Sequence, residues 1–455
     1  MQNIPDGRPG RFVVIADDFT GAMDTGVHFL TPQSRPLVRI VNGTPLRPTH
    51  ASDDHVLVVD TETRPLGPGE AYDRVRAVAS ELAAEGYLRF YKKIDSTYRG
   101  NVGAELDALL DLHDYPAAAV VSAVPKAGRT VRDGICLVRG IPLHESEFGA
   151  DRLSPRVTSS TLEIVASQST RKSVVIGRNP ASHDPVEFAA ELERHIGLGA
   201  EILLIDATSD GDIRRIVKAL RLLPVPLLLV GAAGLAEALA ETGSTAYTDN
   251  SSPAGADTGP GSVGLLGEGP ALFVSGSLMR TTAEQADRLA SYTDRVGCIT
   301  LQANAMVNAL SGEMNRIVES AVALARSGRH VLLRTSDGRP VSEHPWPELA
   351  QPDAGRIARF IGTCARRIVE SSLVDTLILS GGSTAVAVME ELGVADLRIV
   401  AEAESGLPVC DAEIPNIGRH YRIVTKAGGF GRVDSYERIM ERMDRHATNH
   451  SYHHG

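Results

Sequence analysis

The chain has 455 residues, which at roughly 150 residues per domain predicts two or three domains and excludes a small disulfide-held scaffold. Hydrophobic residues make up 43% of the sequence and charged residues 23%, values typical of a folded globular protein and unlike those of a disordered chain. The net charge of −11 repels nucleic acid and anionic lipid, so an anionic ligand needs a local binding site.

The cysteines and the apolar runs exclude two further classes of protein. Cys136, Cys298, Cys364 and Cys410 form no C-x-x-C pair, so neither a disulfide framework nor a zinc knuckle is predicted. The longest charge-free apolar run, Leu222 to Ala236, is too short for a membrane helix and contains prolines. We therefore expect a cytoplasmic protein with no nucleic-acid partner and no membrane partner.

Short apolar runs alternate with helix-length periodic segments along almost the whole chain. This alternation is typical of repeated βαβ units and predicts an α/β fold with mostly parallel sheets. Helices are predicted at Glu70–Glu85 and Val102–Leu112. In the first half, strands are predicted at Phe12–Ala16, Val56–Asp60, Leu88–Lys92, Ala118–Ser122, Ser173–Ile176, Ile202–Ile205 and Leu227–Val230.

A change of composition near the middle divides the sequence. Between Thr242 and Gly269 the chain is rich in Gly, Ser, Thr, Pro and Asp, which is typical of a linker. The alternation then restarts, with strands predicted at Leu272–Ser275, Val331–Arg334, Leu377–Ser380 and Arg422–Thr425 and helices at Thr281–Ala290 and Gly355–Glu370. We predict an amino-terminal domain over residues 1–241, a linker over residues 242–269 and a carboxyl-terminal domain over residues 270–455.

The segment from Phe12 to Gly26 places two acidic residues directly after a buried strand and before a helix. In open α/β proteins, ligands bind at the carboxyl ends of the strands. Because side chains alternate along a strand, one of Asp17 and Asp18 is expected to face the ligand and the other to cap the turn. We favour Asp18 for substrate contact. The alternative is that both acids only cap the helix.

A second polar cluster follows the predicted strand that ends at Lys92. Its charged, hydroxyl and amide groups suit a small polyhydroxy anion. The loop Glu62–Arg64 and the loop Pro125–Thr130 follow other strands and are expected at the same sheet edge. Solvated surface loops are the alternative explanation. The candidate substrate-binding residues are Asp17, Asp18, Arg64, Lys92, Lys93, Asp95, Ser96, Arg99 and Asn101.

Three glycine-containing loops follow predicted strands in the second half: Ser275–Ser277, Ser380–Thr384 and Lys426–Gly431. Glycine permits close approach of a ligand, and N–H groups at a helix start bind phosphate oxygens. Strand-to-helix turns also use glycine for steric reasons alone, but three such loops together favour a phosphate site. Gly259–Gly264 matches the letters of a dinucleotide motif without a preceding strand, and no Walker loop occurs.

These segments make the sequence similar to the four-carbon acid sugar kinase family over nearly its whole length. The resemblance implies an amino-terminal domain that binds an acid sugar, a carboxyl-terminal domain that binds ATP, and phosphoryl transfer in the cleft between them. It rests on Ala16–Gly21, Asp24–Gly26, Lys92–Thr97, Arg99–Asn101, Ala127–Thr130, Pro142-Leu143 with Glu145 and Glu147-Phe148, Gly231–Leu235 and Thr425–Gly431.

The resemblance also implies roles for particular residues. Asp18, Arg64 and the segment Lys92–Asp95 match the family's substrate side. Ser277, the loop Gly381–Thr384 and Gly428 match its nucleotide side. Together with the three glycine-containing loops, this resemblance gives the expected ATP-binding residues: Ser275, Ser277, Gly381, Gly382, Ser383, Thr384 and Gly428.

We therefore expect an ATP-dependent kinase that phosphorylates the terminal C4 hydroxyl of a four-carbon sugar acid, with D-threonate as the expected substrate. Arg64, Arg99 and one of Lys92 and Lys93 are expected to hold the carboxylate. Asp18, or as the alternative Asp95, is expected to accept the hydroxyl proton. Mg²⁺ is expected on the phosphates, where it needs few protein ligands.

Several alternatives stay open from the sequence. One alternative is a kinase of the same class that acts on 3-oxo-tetronate or erythronate. An alternative from another class is a nicotinamide-dependent sugar-acid dehydrogenase, which the missing dinucleotide motif disfavours. A third alternative is a non-catalytic sugar-acid sensor. The expected partners are a sugar acid and ATP, with a homodimer as an open option.

Overall fold

The computed structural model describes residues 11–31, 34–41, 56–146, 148–149, 157–177, 184–242, 266–267, 269–276, 279–302, 311–336 and 351–451. Contacts between residues divide the chain into two compact units, unit 1 over Met1–Gly255 and unit 2 over Ala256–Gly455. Most of the predicted linker, residues 242–269, lies outside the described residues. None of the described helices combines the length and the apolar composition that crossing a lipid bilayer demands.

Unit 1 alternates strands and helices along the chain. Its strands are β1 (Arg11–Ala16), β2 (Leu37–Ile40), β3 (Val56–Asp60), β4 (Tyr87–Lys93), β5 (Ala118–Val121), β6 (Arg129–Arg132), β7 (Ile135–Val138), β8 (Ile141–Pro142), β9 (Ser173–Ile176), β10 (Ile202–Ile205) and β11 (Leu228–Gly231). Its helices are α1 (Phe19–Gly26), α2 (Pro68–Ala84), α3 (Val102–Leu110), α4 (Thr161–Ala166), α5 (Pro185–Gly197), α6 (Asp210–Leu220) and α7 (Ala233–Glu241).

The main sheet of unit 1 is parallel. Its strand order is β2-β3-β1-β4-β11-β5-β10-β9, and each neighbouring pair runs in the same direction. Every residue of β3, β5 and β10 is buried, as expected for a parallel sheet covered on both faces. Strands β6, β7 and β8 form a separate small antiparallel sheet.

Local sequence explains where the helices of unit 1 begin and which face they bury. Helix α2 begins after Gly67 with Pro68 in its first turn, where a missing N–H costs nothing. Its buried residues recur at helical spacing and include Val75, Ala79 and Leu82. Helix α6 begins with a capping box in which Ser209 and Asp212 satisfy each other's backbone N–H groups.

Unit 2 contains a mixed sheet. Its strands are β12 (Ala271–Ser275), β13 (Val296–Gln302), β14 (His330–Ser336), β15 (Thr376–Ser380), β16 (Asp396–Glu404), β17 (Leu407–Ile414) and β18 (Arg419–Lys426). Its helices are α8 (Arg280–Tyr292), α9 (Ser311–Arg326), α10 (Gln351–Val369), α11 (Gly382–Leu392) and α12 (Ser435–Ser451). The strand order is β13-β14-β12-β15-β18-β17-β16, parallel from β13 to β18 and antiparallel from β18 to β16.

The predicted α/β class with mostly parallel sheets is confirmed, and each predicted strand occurs within three residues of its expected bounds. The prediction missed β2, β13, the small sheet β6 to β8 and the antiparallel pair β16 and β17. Strand β16 shows why, because Arg398, Glu402 and Glu404 interrupt its apolar residues and its burial alternates. A half-exposed strand gives no continuous apolar run for a sequence pattern to detect.

Candidate functional site

Polar residues gather at the carboxyl edge of the sheet in unit 1. Strands β1, β3 and β4 are parallel and in register, with Ala16 opposite both Asp60 and Lys93. The residues that follow these strand ends are therefore brought together. We call the central group the carboxylate–arginine cluster; it consists of Asp17, Asp18, Arg64, Asp95 and Arg99.

Arg64 lies at the centre of this cluster. Its Nε and Nη2 donate to Asp17 at 2.8 and 3.1 Å, and its Nη1 and Nη2 donate to Asp18 at 2.6 and 2.7 Å. Asp95 Oδ2 lies 3.7 Å from Arg64 Nη2. Burial disfavours the charge on Arg64, but these carboxylates outweigh burial and raise the Arg64 pKa well above its ordinary value. Arg64 is thus a fixed cation that holds the acids in place.

Asp95 is held from several sides. Arg99 Nη2 donates to Asp95 Oδ2 at 2.7 Å, and the Thr97 backbone N–H donates to Oδ1 at 2.8 Å. The Thr97 hydroxyl also donates to Oδ1. Burial raises the pKa of Asp95, but Arg99 and Arg64 outweigh it and hold the pKa well below its usual value. A carboxylate stabilised in this way is a weak proton acceptor, which disfavours Asp95 as the base.

The two adjacent acids differ in their surroundings. Asp18 is the N-cap of α1, because its Oδ1 accepts the Gly21 N–H at 2.9 Å and its Oδ2 accepts the Thr20 hydroxyl at 2.6 Å. Its side chain is 16% exposed, against 3% for Asp17. Burial raises the Asp17 pKa, but Arg64 and Lys92 outweigh it and lower the pKa. The sequence predicts that one acid faces the ligand and the other caps the turn; in the structure Asp18 caps α1 and is also the more exposed of the two.

The two adjacent lysines also differ. Lys92 is fully buried, and its ammonium lies 2.7 Å from Glu105 Oε2 in α3. Lys93 points to the other face, toward α1, where its Nζ lies 2.6 Å from the position that a Cβ on Gly21 would occupy. Since alternate residues of a strand face opposite sides, only Lys93 is placed beside Asp18.

The remaining candidates of unit 1 lie at the same edge. Both side-chain N–H groups of Asn101 are used, donating to the carbonyls of Thr63 at 3.0 Å and Leu66 at 2.9 Å. Asn101 therefore holds the loop that carries Arg64. Ser96 is partly exposed beside Asp95.

Residues that were not among the candidate substrate-binding residues also face this cluster. Burial raises the pKa of Asp24, a carboxyl in α1 that interacts with Lys93 and Arg129. The guanidinium groups of Arg129 and Arg99 both stack on the Phe148 ring, at 5.0 and 5.6 Å from its centre. The sequence motif Asp24–Gly26 contains Asp24 and the loop Pro125–Thr130 contains Arg129, but neither pattern shows that these side chains meet the cluster.

In unit 2, three strand ends are level with one another. Ser275 of β12 lies opposite Ser380 of β15, and Ser380 lies opposite Lys426 of β18. The loops after these strands are joined by backbone hydrogen bonds from Gly276 to the Ser380 carbonyl and from Gly381 to the Lys426 carbonyl, at 3.3 and 2.9 Å. The three glycine loops predicted from the sequence thus begin at one sheet edge.

The loop after β15 leads directly into α11. Gly381 is the N-cap with φ of 100°, a value that favours glycine, and contributes no capping side chain. Gly382 and the exposed Ser383 follow in the first turn, while Thr384 is buried. Thr384 Oγ1 lies 2.2 Å from where a Cβ on Gly276 would be, so glycine permits this close packing. Ser277 lies outside the described residues.

The loop after β18 consists of Ala427–Gly431 and is called the glycine loop below. The Gly428 carbonyl accepts a hydrogen bond from Thr282 Oγ1 of α8 at 2.5 Å.

Groups of three or more His, Cys, Asp or Glu side chains suited to a metal ion do not occur among the described residues. The oxygen donors near the predicted phosphate site are hydroxyl and backbone groups, which fits a Mg²⁺ ion held chiefly by phosphate and water.

Comparison with known proteins follows the same division of the chain. Residues 12–239 match the family model described as "Sugar-binding N-terminal domain", and residues 272–435 match "Nucleotide-binding C-terminal domain". A D-threonate kinase of Salmonella typhimurium is 33% identical, covering 92% of this chain and 95% of that protein. A D-threonate kinase of Bordetella bronchiseptica is 30% identical, covering 92% of this chain and 94% of that protein.

Other matching relatives are named 3-oxo-tetronate kinase and D-erythronate kinase. A crystal structure of a Salmonella typhimurium protein aligns with a TM-score of 0.78 at 22% identity, covering 95% of this chain and 99% of that one, and shows a shared fold. The family expected from the sequence motifs is thus confirmed: the chain belongs to the four-carbon acid sugar kinase family.

Proposed function

We propose that the chain is a kinase that transfers the γ-phosphoryl group of ATP to the C4 hydroxyl of a four-carbon sugar acid, with D-threonate as the substrate. The observation that carries this proposal is the carboxylate–arginine cluster, which lies in the region matched by the sugar-binding family model. The D-threonate kinase names of two relatives support the choice of acid.

The acid substrate binds through Arg99 of the cluster, which stacks on Phe148, and through the neighbouring Lys93. Arg99 is partly exposed, and a guanidinium can grip both oxygens of a carboxylate. Lys93 supplies a second positive charge beside Asp18. Arg64 is held by Asp17 and Asp18, so its contribution is to position these acids. This assignment keeps Lys93 and sets Lys92 aside, because the Lys92 ammonium is paired with Glu105.

Asp18 accepts the proton of the C4 hydroxyl. The hydroxyl oxygen forms a bond to the γ-phosphorus, the bond from that phosphorus to the β,γ-bridging oxygen breaks, and ADP leaves. Asp18 is the most exposed acid of the three that surround Arg64, with 16% of its side chain accessible. In a loose transition state, alignment and charge neutralisation contribute more than the basicity of the acceptor.

ATP binds in unit 2 where strands β12, β15 and β18 end side by side. The N-cap and first turn of α11 consist of Gly381, Gly382, Ser383 and Thr384, and the N–H groups of this turn suit phosphate oxygens. Ser275 ends the neighbouring strand β12. Ser277 is proposed from the resemblance alone. Mg²⁺ would neutralise the charge of the phosphates, and the Ser383 and Thr384 hydroxyls are the side chains that would help to hold it.

The proposal is tested by a coupled assay for ADP release with purified protein, ATP and Mg²⁺. The acids offered are D-threonate, L-threonate, D-erythronate and 3-oxo-tetronate, with no acid as the control. We expect D-threonate to give the highest kcat/KM. A preference for erythronate or 3-oxo-tetronate would change the substrate and keep the reaction class, whereas no ADP release with any acid would contradict the kinase.

Two further measurements address the other classes. A thermal-shift comparison of ATP with NAD distinguishes the kinase from a sugar-acid dehydrogenase, which would be stabilised by NAD. A sensor would be stabilised by the acid without consuming ATP.

The cytoplasmic location is supported by the need for ATP and by four cysteines without disulfides. The homodimer stays a prediction.

A further inference from the structure

A buried lysine lies beneath the glycine loop of unit 2. Lys426 is the last residue of β18 and is 2% exposed. Its Nζ donates to the carbonyls of Ala427 at 3.1 Å, Gly428 at 3.4 Å and Phe430 at 3.1 Å. The Thr282 hydroxyl lies 3.3 Å from the same nitrogen. A single ammonium therefore binds three carbonyl oxygens of one short loop.

The geometry of the peptide bond determines where the loop's N–H groups point. In a planar trans peptide, the N–H of one residue points away from the carbonyl of the residue before it. The three carbonyls bound by Lys426 belong to Ala427, Gly428 and Phe430, so the opposite N–H groups belong to Gly428, Gly429 and Gly431. All three are glycines, so no side chain of their own covers these N–H groups.

Neighbouring side chains hold the loop in the same orientation. Thr282 Oγ1 donates to the Gly428 carbonyl, and Gln285 Nε2 donates to the carbonyls of Phe430 at 3.3 Å and Arg432 at 2.6 Å. The Ser435 hydroxyl accepts the Arg432 N–H at 2.8 Å. Helix α8 thus adds two further donors to the side of the loop that Lys426 contacts.

From these contacts we infer that Lys426 is a positioning residue that directs the N–H groups of Gly428, Gly429 and Gly431 toward the phosphates of the bound nucleotide. The inference rests on the proposed use of ATP and adds a residue to it. A buried ammonium costs desolvation energy, so a lysine whose only role was packing could be replaced by an apolar side chain without loss. Lys426 instead acts through the loop and does not touch the nucleotide.

The test measures MgADP binding to the full-length protein by calorimetry in Lys426→Met and Thr282→Val. Methionine keeps the length of the side chain without its charge, and valine keeps the shape of threonine without its hydroxyl. We expect Lys426→Met to weaken MgADP binding by about tenfold to hundredfold, the size expected when hydrogen bonds to a charged donor are lost. Thr282→Val is expected to weaken it less. The control is Lys218→Met, which replaces an exposed lysine of α6.

The kinetic readout separates positioning from general damage. We expect the KM for ATP to rise while the KM for the acid substrate stays unchanged, because the side chains of Lys426, Thr282 and Gln285 that hold the glycine loop all belong to unit 2. Unchanged MgADP binding in both variants, or equal loss of nucleotide and acid binding, would overturn the inference. Should Lys426→Met fail to fold, Thr282→Val decides. Absence of MgADP binding by the unaltered protein would instead contradict the proposed ATP site itself.

Discussion

Arg64 and Asp18 are joined by two hydrogen bonds, from Nη1 to Oδ2 at 2.6 Å and from Nη2 to Oδ1 at 2.7 Å. This fork fixes the carboxylate that we propose as the proton acceptor. In Asp18→Asn, the amide oxygen can still accept the Gly21 N–H and cap α1, so we expect the melting temperature to change little. The charge and the proton acceptor are lost, so kcat is expected to fall by about 10²- to 10⁴-fold.

Asp95→Asn is the matched comparison for this prediction. Asp95 holds Arg99, so its loss is expected to misplace a carboxylate-binding group and raise the KM for the acid more than it lowers kcat. Steady-state kinetics of both variants distinguish the two acids. If Asp95→Asn loses kcat and Asp18→Asn keeps it, Asp95 is the base and our assignment is wrong.

Gly21→Ala is expected to lower activity without unfolding the protein. A Cβ at this position would lie 2.5 Å from Asp18 Oδ1 and 2.6 Å from Lys93 Nζ, so both groups must move. Displacement of a reacting group by about 1 Å can cost about a hundredfold in rate. We expect a loss of this order in kcat/KM for the acid.

Gly69→Ala is the control for this substitution. Gly69 lies in the first turn of α2, and a Cβ there would meet nothing within 4 Å. Its kinetics and melting temperature are expected to match those of the unaltered protein. Equal activity of Gly21→Ala and Gly69→Ala would show that the Lys93 ammonium does not need its observed position.

Lys92→Met is expected to reduce stability strongly. The side chains of Lys92 and Glu105 are 0% and 1% exposed, so removing one leaves a buried group without its counter-charge. Breaking such a pair costs about 3–5 kcal/mol, whereas replacing both members by apolar residues costs far less. Urea unfolding of Lys92→Met and of the double variant Lys92→Met with Glu105→Leu measures the difference.

The same double variant tests whether Lys92 binds the acid. If its stability recovers and its KM for the acid stays near that of the unaltered protein, Lys92 is structural. If the double variant recovers its stability but its KM for the acid increases strongly, Lys92 binds the substrate and the choice of Lys93 is wrong.

The pH dependence of nucleotide binding is expected to follow Lys426. Burial lowers the pKa of Lys426 to about 7 from its ordinary 10.5. Below that pH the ammonium has three N–H donors for the three loop carbonyls, and above it the neutral amine has only two. MgADP affinity should therefore decrease as the pH rises through about 7. Tyr436, whose ring centre lies 6.0 Å from Nζ, stays neutral because burial raises its pKa to about 12.

Stability should change in the opposite direction. Between pH 7 and about 10.5 the unfolded chain binds more protons at Lys426 than the folded chain, so the free energy of unfolding contributed by this group rises with pH. Calorimetry and urea unfolding across this range check both signs. In Lys426→Met both trends should disappear, and their persistence would show that another group is responsible.

The sequence predicts the strand ends of this protein well and the direction of its side chains less well. Asp17, Asp18, Arg64 and Asp95 were placed at one edge because parallel strands deliver their following residues to the same side. The choice between Lys92 and Lys93 could not be made, since alternation shows only that they face opposite ways. Which face carries the ligand depends on where α1 and α3 pack, and those contacts are distant in sequence.

The sequence also could not predict which residues the side chains of Asp18 and Lys426 contact. The segment before α1 predicts an N-cap, but it does not reveal that Asp18 both caps the helix and binds Arg64, which is 46 residues away. The three carbonyls held by Lys426 also have no sequence pattern, because a lysine at a strand end is usually solvated. Long-range contacts set these roles, whereas local periodicity sets the elements.

The contact between Gly276 and Thr384 has a practical consequence for engineering the enzyme toward other phosphoryl donors. Because any β-carbon at position 276 would fall 2.2 Å from Thr384 Oγ1, a substitution there would force Thr384 or the loop to shift, and a randomised library that varies this position would disturb the packing of the proposed nucleotide site. Ser383 is exposed beside that contact and belongs to the proposed nucleotide site, so changes there can alter donor binding without disturbing this packing. A search for altered donor preference should therefore keep 276 constant and begin at 383.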